Sequence, residues 1–352
     1  MQALRKVASE PGLSLEEVAE PRPTATDVVV EVEAASVCGT DLHIHLWDGW
    51  AAGRIRPPVT LGHELAGTVV EVGADVRHVA VGDFVSAESH ITCGACSACR
   101  TGNGHLCERT EILGVDRDGA FARYVAVPET VIWKTNRDKL PPEIATLQEP
   151  FGNAVFATSE QDLSGRSVAV LGCGPVGLFT VAIAKASGAS LILASDLHPF
   201  RLGLAKTMGA DVVVDARQTI DHQGVDVVFE MSGSPQAITD AIRIARNGAR
   251  IILFGIPSRL VEVDIAAAIF KNLTVQAVSG RRIFATWYRT RWLLESGAVD
   301  LRPLITHEYG LEDWKQVFSK LEAGEACKIV VYPAGLPGGR TAAAQVASVA
   351  GQ

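Results

Sequence analysis

The chain has 352 residues, 47% of them hydrophobic and 20% charged, which excludes a disordered chain and allows one large or two ordinary domains. Its formal net charge of −8 argues against a nucleic-acid-binding surface, since phosphate contacts call for an excess of Lys and Arg. No run approaches the roughly 20 apolar residues of a membrane span. The first residues lack the apolar core of a signal peptide, so the expectation is a cytoplasmic protein without a membrane partner.

Up to about residue 150 the chain is rich in Val and Gly, with short apolar runs at 28–32, 67–73 and 121–127 separated by turn residues. That texture predicts a mainly β domain with long loops. Within it stand Cys38-Gly39-Thr40-Asp41-Leu42-His43 and Gly62-His63-Glu64. Cys38, His63 and Glu64 are candidate ligands of one zinc ion with a fourth position open, the arrangement of a catalytic zinc site. Glu64 can equally stand just outside the ligand set. Thr40 and His43 follow close behind the cysteine and offer a hydroxyl and an imidazole able to pass a proton.

Four of the seven cysteines are Cys93, Cys96, Cys99 and Cys107. Four thiolates at such short spacing suit a closed tetrahedral zinc site, which is structural because no position is left for substrate. A DNA-binding zinc module is the other metal reading, and the acidic balance argues against it.

Beyond residue 166 the pattern changes to alternating strands and helices. Candidate strands lie at 167–171, 191–195, 212–215, 225–230, 249–254 and 273–278, with helices at 176–186 and 235–246 among the connections. Six strands with helical crossovers predict an α/β, doubly wound parallel sheet. Directly after the first strand comes Gly172-Cys173-Gly174-Pro175-Val176-Gly177, which would place a pyrophosphate at a helix N-terminus. Asp196 closes the next strand and is the expected partner of the adenosine ribose hydroxyls, favouring NAD over NADP; Arg201 nearby could still accommodate a 2′-phosphate. Helices are expected again at 287–296 and 311–323, and the apolar strand 328–332 needs the first domain's sheet. Residues 334–352 read as a loose tail, with a weak helix possible at 341–350. Glu149, just before the domain change, reads from its sequence alone as a helix-cap residue.

Taken together, these motifs resemble the zinc-dependent medium-chain alcohol dehydrogenase family over residues 1–333. The resemblance reaches one branch of it, which acts on a small amino alcohol, through Trp47-Asp48-Gly49-Trp50, Glu88-Ser89-His90-Ile91-Thr92-Cys93, residues 112–119, residues 149–155 and Gly280-Arg281-Arg282. It implies a GroES-like mainly-β catalytic domain (1–155 and 290–333) holding both zinc sites, a Rossmann NAD-binding domain (156–289), and an active-site cleft between them. By the same match, Cys38, His63 and Glu64 hold the catalytic zinc, Thr40 and His43 form a proton relay, and Glu149 serves proton transfer. Gly172, Gly174, Val176, Gly177, Asp196, Arg201, Phe254, Gly255, Ile256, Val278 and Ser279 face NAD, and His90 faces the substrate. The branch is homotetrameric. This chain departs from it in a shorter segment at 215–224, in Phe156 where the branch has His, and in the tail. A polyol or other secondary-alcohol dehydrogenase of the family shares all the metal and cofactor chemistry. A catalytically silent relative would be expected to have lost Cys38, His63 or Thr40, and all three are present.

Overall fold

The computed structural model describes residues 1–339; the tail expected from residue 334 lies, from residue 340 onward, outside the described residues, and so does its weak helix at 341–350. The chain divides into two units, Met1–Pro150 with Ile305–Gln352, and Phe151–Leu304. Both expected boundaries, 155/156 and 289/290, therefore shift. Residues 290–304 stay with the second unit because the short turn Arg302–Leu304 packs on its helix Pro199–Thr207.

The first unit is built around a seven-stranded sheet. Its order is Ile132–Lys134, Phe84–Ala87, Glu64–Val72, Asp27–Ser36, Lys328–Tyr332, Ile305–Gly310, with Tyr124–Pro128 also pairing with Asp27–Ser36. The Val-rich run at 28–32 forms a strand because β-branched side chains suit a pleated, packed surface. Val28, Val30 and Val32 join Leu65, Val69, Val85 and Val127 in one core, each contributing about 1.5–3 kcal/mol by burial. The last strand finds the sheet it needs, since Val330 and Val331 pair antiparallel with Ser36 and Ala35.

Two strand registers and one side-chain anchor bring distant residues to one end of this sheet. Ser36 pairs with Glu64, so Cys38 and His63 lie just beyond the same edge. Ala66 pairs with Ser86, which makes the chain leave the sheet at Glu88–His90 on that side too. Gln148 then anchors the start of helix Gln148–Ser159 by donating from Nε2 to Ser86 Oγ (2.9 Å) and Thr135 Oγ1 (3.0 Å), which fixes Glu149 in the first turn.

In the second unit all six strands are parallel, in the order Val212–Asp215, Leu191–Asp196, Ser167–Leu171, Val225–Glu230, Ala245–Leu253, Thr274–Ala277. This is the doubly wound arrangement, with its switch point beside the carboxyl end of Ser167–Leu171. The helix expected to reach Arg246 stops at Ile244, where the backbone turns extended at Ala245 (φ −62°, ψ 136°). Pairing of Val225 with Ala245 and the bond from Arg246 Nε to Asp226 Oδ1 (2.6 Å) carry those residues into the sheet instead. Phe156 is buried, with the Arg282 guanidinium 5.6 Å from its ring centroid, so it packs within this unit.

Candidate active site and metal centres

Cys38 caps helix Gly39–Leu46, and Asp41 Oδ2 accepts its backbone N–H at 2.9 Å. Asp at this position closes a capping box and suits the positive end of the helix. Thr40 and His43 then rise from one helix face, three residues apart. Just ahead of the strand Glu64–Val72, Gly62 adopts φ +89°, and a Cβ there would come within 2.5 Å of the Phe121 ring, so only glycine lets the chain deliver His63 and Glu64.

The Cys38, His63 and Glu64 ligand atoms lie within 4.8 Å of one another. His63 Nδ1, Glu64 Oε1 and Asp41 Oδ1 are buried without a hydrogen-bond partner, and the first and last face each other at 3.9 Å. Glu64 Oε2 by contrast accepts from Ser36 Oγ and from the buried ammonium of Lys328, which also donates to Val37 O at 2.9 Å. Burial raises the carboxyls of Asp41 and Glu64 above the usual range, and Lys328 opposes this at Glu64. Burial alone would lower the His63 imidazole, but Cys38, Asp41 and Glu149 outweigh it and hold it well above its ordinary value. One thiol and three carboxyls thus converge on one imidazole, with Lys328 as the nearby ammonium. Buried charge of one sign calls for a cation, and the orphaned Glu64 Oε1 beside a thiolate and an imidazole is a donor set that zinc accepts. The residues fit a zinc ion.

Thr40 Oγ1 lies 3.7 Å from Cys38 Sγ, at the edge of this cluster. His43 is exposed, and its Nδ1 is 2.6 Å from Asp48 Oδ2. Asp48 also caps the next helix, and the backbone N–H of Ala51, aided by His43, holds its carboxyl below the usual value. On the other side Ser89 Oγ donates to Glu149 Oε1 (2.5 Å) and lies 3.1 Å from His90 Nδ1, which is also 3.1 Å from Glu88 Oε1. Glu149 is thus a group facing the cluster, not a helix cap alone.

The four-cysteine lobe is compact. Cys96 Sγ and Cys93 Sγ lie 3.5 Å and 4.0 Å from Cys99 Sγ. Those spacings bracket the edge of about 3.8 Å that a tetrahedron with Zn–S of about 2.3 Å would have. The backbone N–H of Ala95, with the Arg109 guanidinium, draws the Cys93 thiol down to about 5, while burial and neighbouring thiols push Cys99 up to about 11. These sulfurs also fit zinc.

In the second unit Gly177 must be glycine, because a Cβ there would fall 1.9 Å from Gly172 O; at Gly174 a Cβ would meet nothing within 4 Å. The space over the N-terminus of helix Pro175–Ala186 is therefore open to a phosphate, whose charge the free amides and dipole favour. Asp196 Oδ2 and Oδ1 accept the N–H groups of Cys173 (2.8 Å) and His198 (2.9 Å), and Arg201 Nη1 lies 4.0 Å from Oδ2. The carboxylate is held rigidly with lone pairs to spare. Gly172, Val176, Phe254, Gly255, Ile256, Val278 and Ser279 likewise follow the carboxyl ends of the parallel strands, the side on which such sheets bind nucleotides.

Sequence reasoning missed Ser36, Asp41 and Lys328 as functional groups, and used Asp48, Glu88 and Ser89 only as family marks. Asp48 carried a signal, an Asp directly ahead of a short helix. Lys328 carried none, being 264 residues from its partner.

Residues 24–137 match the alcohol dehydrogenase GroES-like domain, and residues 175–296 match the zinc-binding dehydrogenase family. The chain is 48% identical over 344 residues to an L-threonine 3-dehydrogenase of Symbiobacterium thermophilum, covering 95% of this chain and 98% of that one. Among solved structures it resembles a zinc-binding dehydrogenase from Sinorhizobium meliloti bound to NADP (TM-score 0.87, 30% identity, covering 94% and 99% of the two chains). It also resembles 2R,3R-butanediol dehydrogenase from Bacillus subtilis (TM-score 0.86, 30% identity, again covering 94% and 99%). With a cysteine–histidine–glutamate cluster, a four-cysteine lobe and a phosphate-ready glycine turn carried on these two units, the chain belongs to the zinc-binding alcohol dehydrogenases with a GroES-like domain.

Proposed function

We propose that the protein oxidises the 3-hydroxyl of L-threonine to 2-amino-3-oxobutanoate, with hydride transfer to NAD+. The observation that carries this reading is the 48% identity to an L-threonine 3-dehydrogenase along 95% of the chain, together with the complete Cys38–His63–Glu64 cluster. Zinc bound there supplies the Lewis acidity that lowers the pKa of a hydroxyl, and NAD+ supplies the hydride acceptor. Thr40 takes the hydroxyl proton and passes it toward His43, whose Nδ1 is committed to Asp48 so that Nε2 is the receiving nitrogen. The hydride leaves carbon 3 as the carbonyl forms. Glu149 provides a second carboxylate beside the cluster for proton transfer. Gly172, Gly174, Val176 and Gly177 hold the dinucleotide phosphates, and Asp196 holds the ribose and disfavours a 2′-phosphate.

The same reading makes the protein a cytoplasmic homotetramer. Four thiols poised as metal ligands suit a reducing compartment. The strand Thr274–Ala277 ends the second unit's sheet, and Ile256, Leu260, Ile269 and Phe270 are exposed in that unit. An open edge and exposed apolar side chains support association.

The test is NADH formation with L-threonine beside L-serine, 2,3-butanediol, sorbitol and xylitol, with NAD+ or NADP+, and with or without a chelator. Chelator-sensitive activity strongest on L-threonine and NAD+ is expected. Activity confined to the diol or the polyols would overturn the substrate, and a preference for NADP+ would overturn the role of Asp196.

A further inference from the structure

We propose that Glu230 is a positioning residue for the dinucleotide: its buried carboxylate shapes the backbone on which the nicotinamide half lies, without touching the cofactor itself. The inference rests on the NAD reading above and gives a role to a buried acid that the chemistry of the reaction does not use.

Glu230 closes the strand Val225–Glu230, in register with Leu171 on one neighbouring strand and Leu253 on the other. Its backbone oxygen accepts the N–H groups of Phe254 (2.9 Å) and Gly255 (3.2 Å). The side chain is 0% exposed and turns to the loop that follows its own strand. Oε1 accepts the backbone N–H groups of Ser232 (2.8 Å) and Gly233 (3.0 Å) and the hydroxyl of Ser232 (2.5 Å). The Ser232 oxygen in turn accepts the N–H of Ser234 (3.0 Å), the residue ahead of helix Pro235–Ile244. Two amides and a hydroxyl converging on one oxygen are the donors a carboxylate takes, and such charge-assisted bonds are roughly twice as strong as neutral ones.

Two loops are thereby locked together. Gly233, held by the carboxylate, has φ +70°, and a Cβ on it would come within 2.5 Å of Ile256 O. A Cβ on Gly255 would fall 1.9 Å from Gly233 N and 2.7 Å from Glu230 Oε2. The loops 231–234 and 254–256 therefore touch through their backbones, with the carboxylate against both. The Ile256 side chain is exposed, so its burial does not hold this loop, and the contacts around Glu230 do. A doubly wound sheet binds a dinucleotide across its switch point, one half on each set of strands. Asp196 and the glycine turn stand on the set that takes the adenosine half. The loops after Val225–Glu230 and Ala245–Leu253 stand on the other set, which leaves them the nicotinamide half.

The experiment titrates full-length, zinc-loaded protein with NADH and with ADP-ribose, which is the same molecule without the nicotinamide. Glu230→Ala and Glu230→Gln are compared with the parent, and with Gly233→Ala, which forces the two loops apart while leaving the carboxylate in place. Glu230→Ala and Gly233→Ala are each expected to raise the Kd for NADH about tenfold or more, the range of a lost hydrogen bond to a charged group, and to keep that for ADP-ribose within about threefold. Glu230→Gln, which keeps an oxygen for Ser232 and Gly233, should recover most of the loss. A merely structural role would weaken both ligands alike. Equal losses on NADH and ADP-ribose, an unchanged Kd for NADH in Glu230→Ala, or a Glu230→Gln as weak as Glu230→Ala would each overturn the proposal. Should Glu230→Ala fail to fold, Gly233→Ala decides: NADH weakened alone supports the proposal, and both ligands or neither weakened overturns it. Should the parent bind NADPH in place of NADH, the cofactor reading falls, and the same comparison with NADPH and 2′-phospho-ADP-ribose still decides the role of Glu230.

Discussion

Lys328→Met tests whether the buried ammonium exists to neutralise Glu64. Lys328 and Glu64 are 1% and 0% exposed, and the lysine donates to Glu64 Oε2 and to Val37 O. Removing one member of a buried ion pair leaves the other charge uncompensated, at about 3–5 kcal/mol. For a folding unit of this size each kcal/mol lowers the midpoint by about 2–4 °C, which gives a fall of about 6–20 °C. Urea unfolding of zinc-stripped protein, at fixed concentration, measures the loss without a metal masking it. Adding Glu64→Gln removes the orphaned charge, so the double variant should be less destabilised than the sum of the single ones by about 1–3 kcal/mol. A loss below about 1 kcal/mol, or additive single effects, would refute the reasoning and make Lys328 a packing residue.

Two other outcomes follow from charge and coordination. Burial would raise the Asp226 carboxyl, but Arg246 and Ser167 outweigh it and bring it to about 2, below its unfolded value. Its contribution is therefore fully present above the unfolded pKa and lost as pH falls through about 2, so the stability gap between the parent and Asp226→Asn should be constant above about pH 5 and close toward pH 2 in unfolding curves; a gap that widens on acidification would contradict the sign. Cys96→Ser should reduce the zinc content from about two to about one ion per chain by atomic emission while Cys38 and His63 keep theirs, and an unchanged content would show that the lobe binds none.

Much of this could be read without coordinates because it is written in short spans. The glycine turn, the four cysteines and the alternation of strands and helices after residue 166 are local patterns, and each appears where it was expected. The limits of elements were less secure. Arg246 suits a helix by its local pattern, yet it belongs to a strand, because pairing with Val225–Glu230 and the bond to Asp226 outweigh local preference.

The sequence by itself determined the chemistry on offer: thiolates, imidazoles, carboxylates and a phosphate turn, each fixed by residue type and spacing. Tertiary structure alone decided how these groups are charged and oriented. Register between strands set Glu64 beside Ser36 and, from the far end of the chain, Lys328 beside Glu64. The turn after Phe84–Ala87 put Glu88 and Ser89 against one nitrogen of His90. Protonation and tautomer depend on what lies within about 3 Å of an atom, and those neighbours come from parts of the chain whose spacing in sequence carries no sign of it.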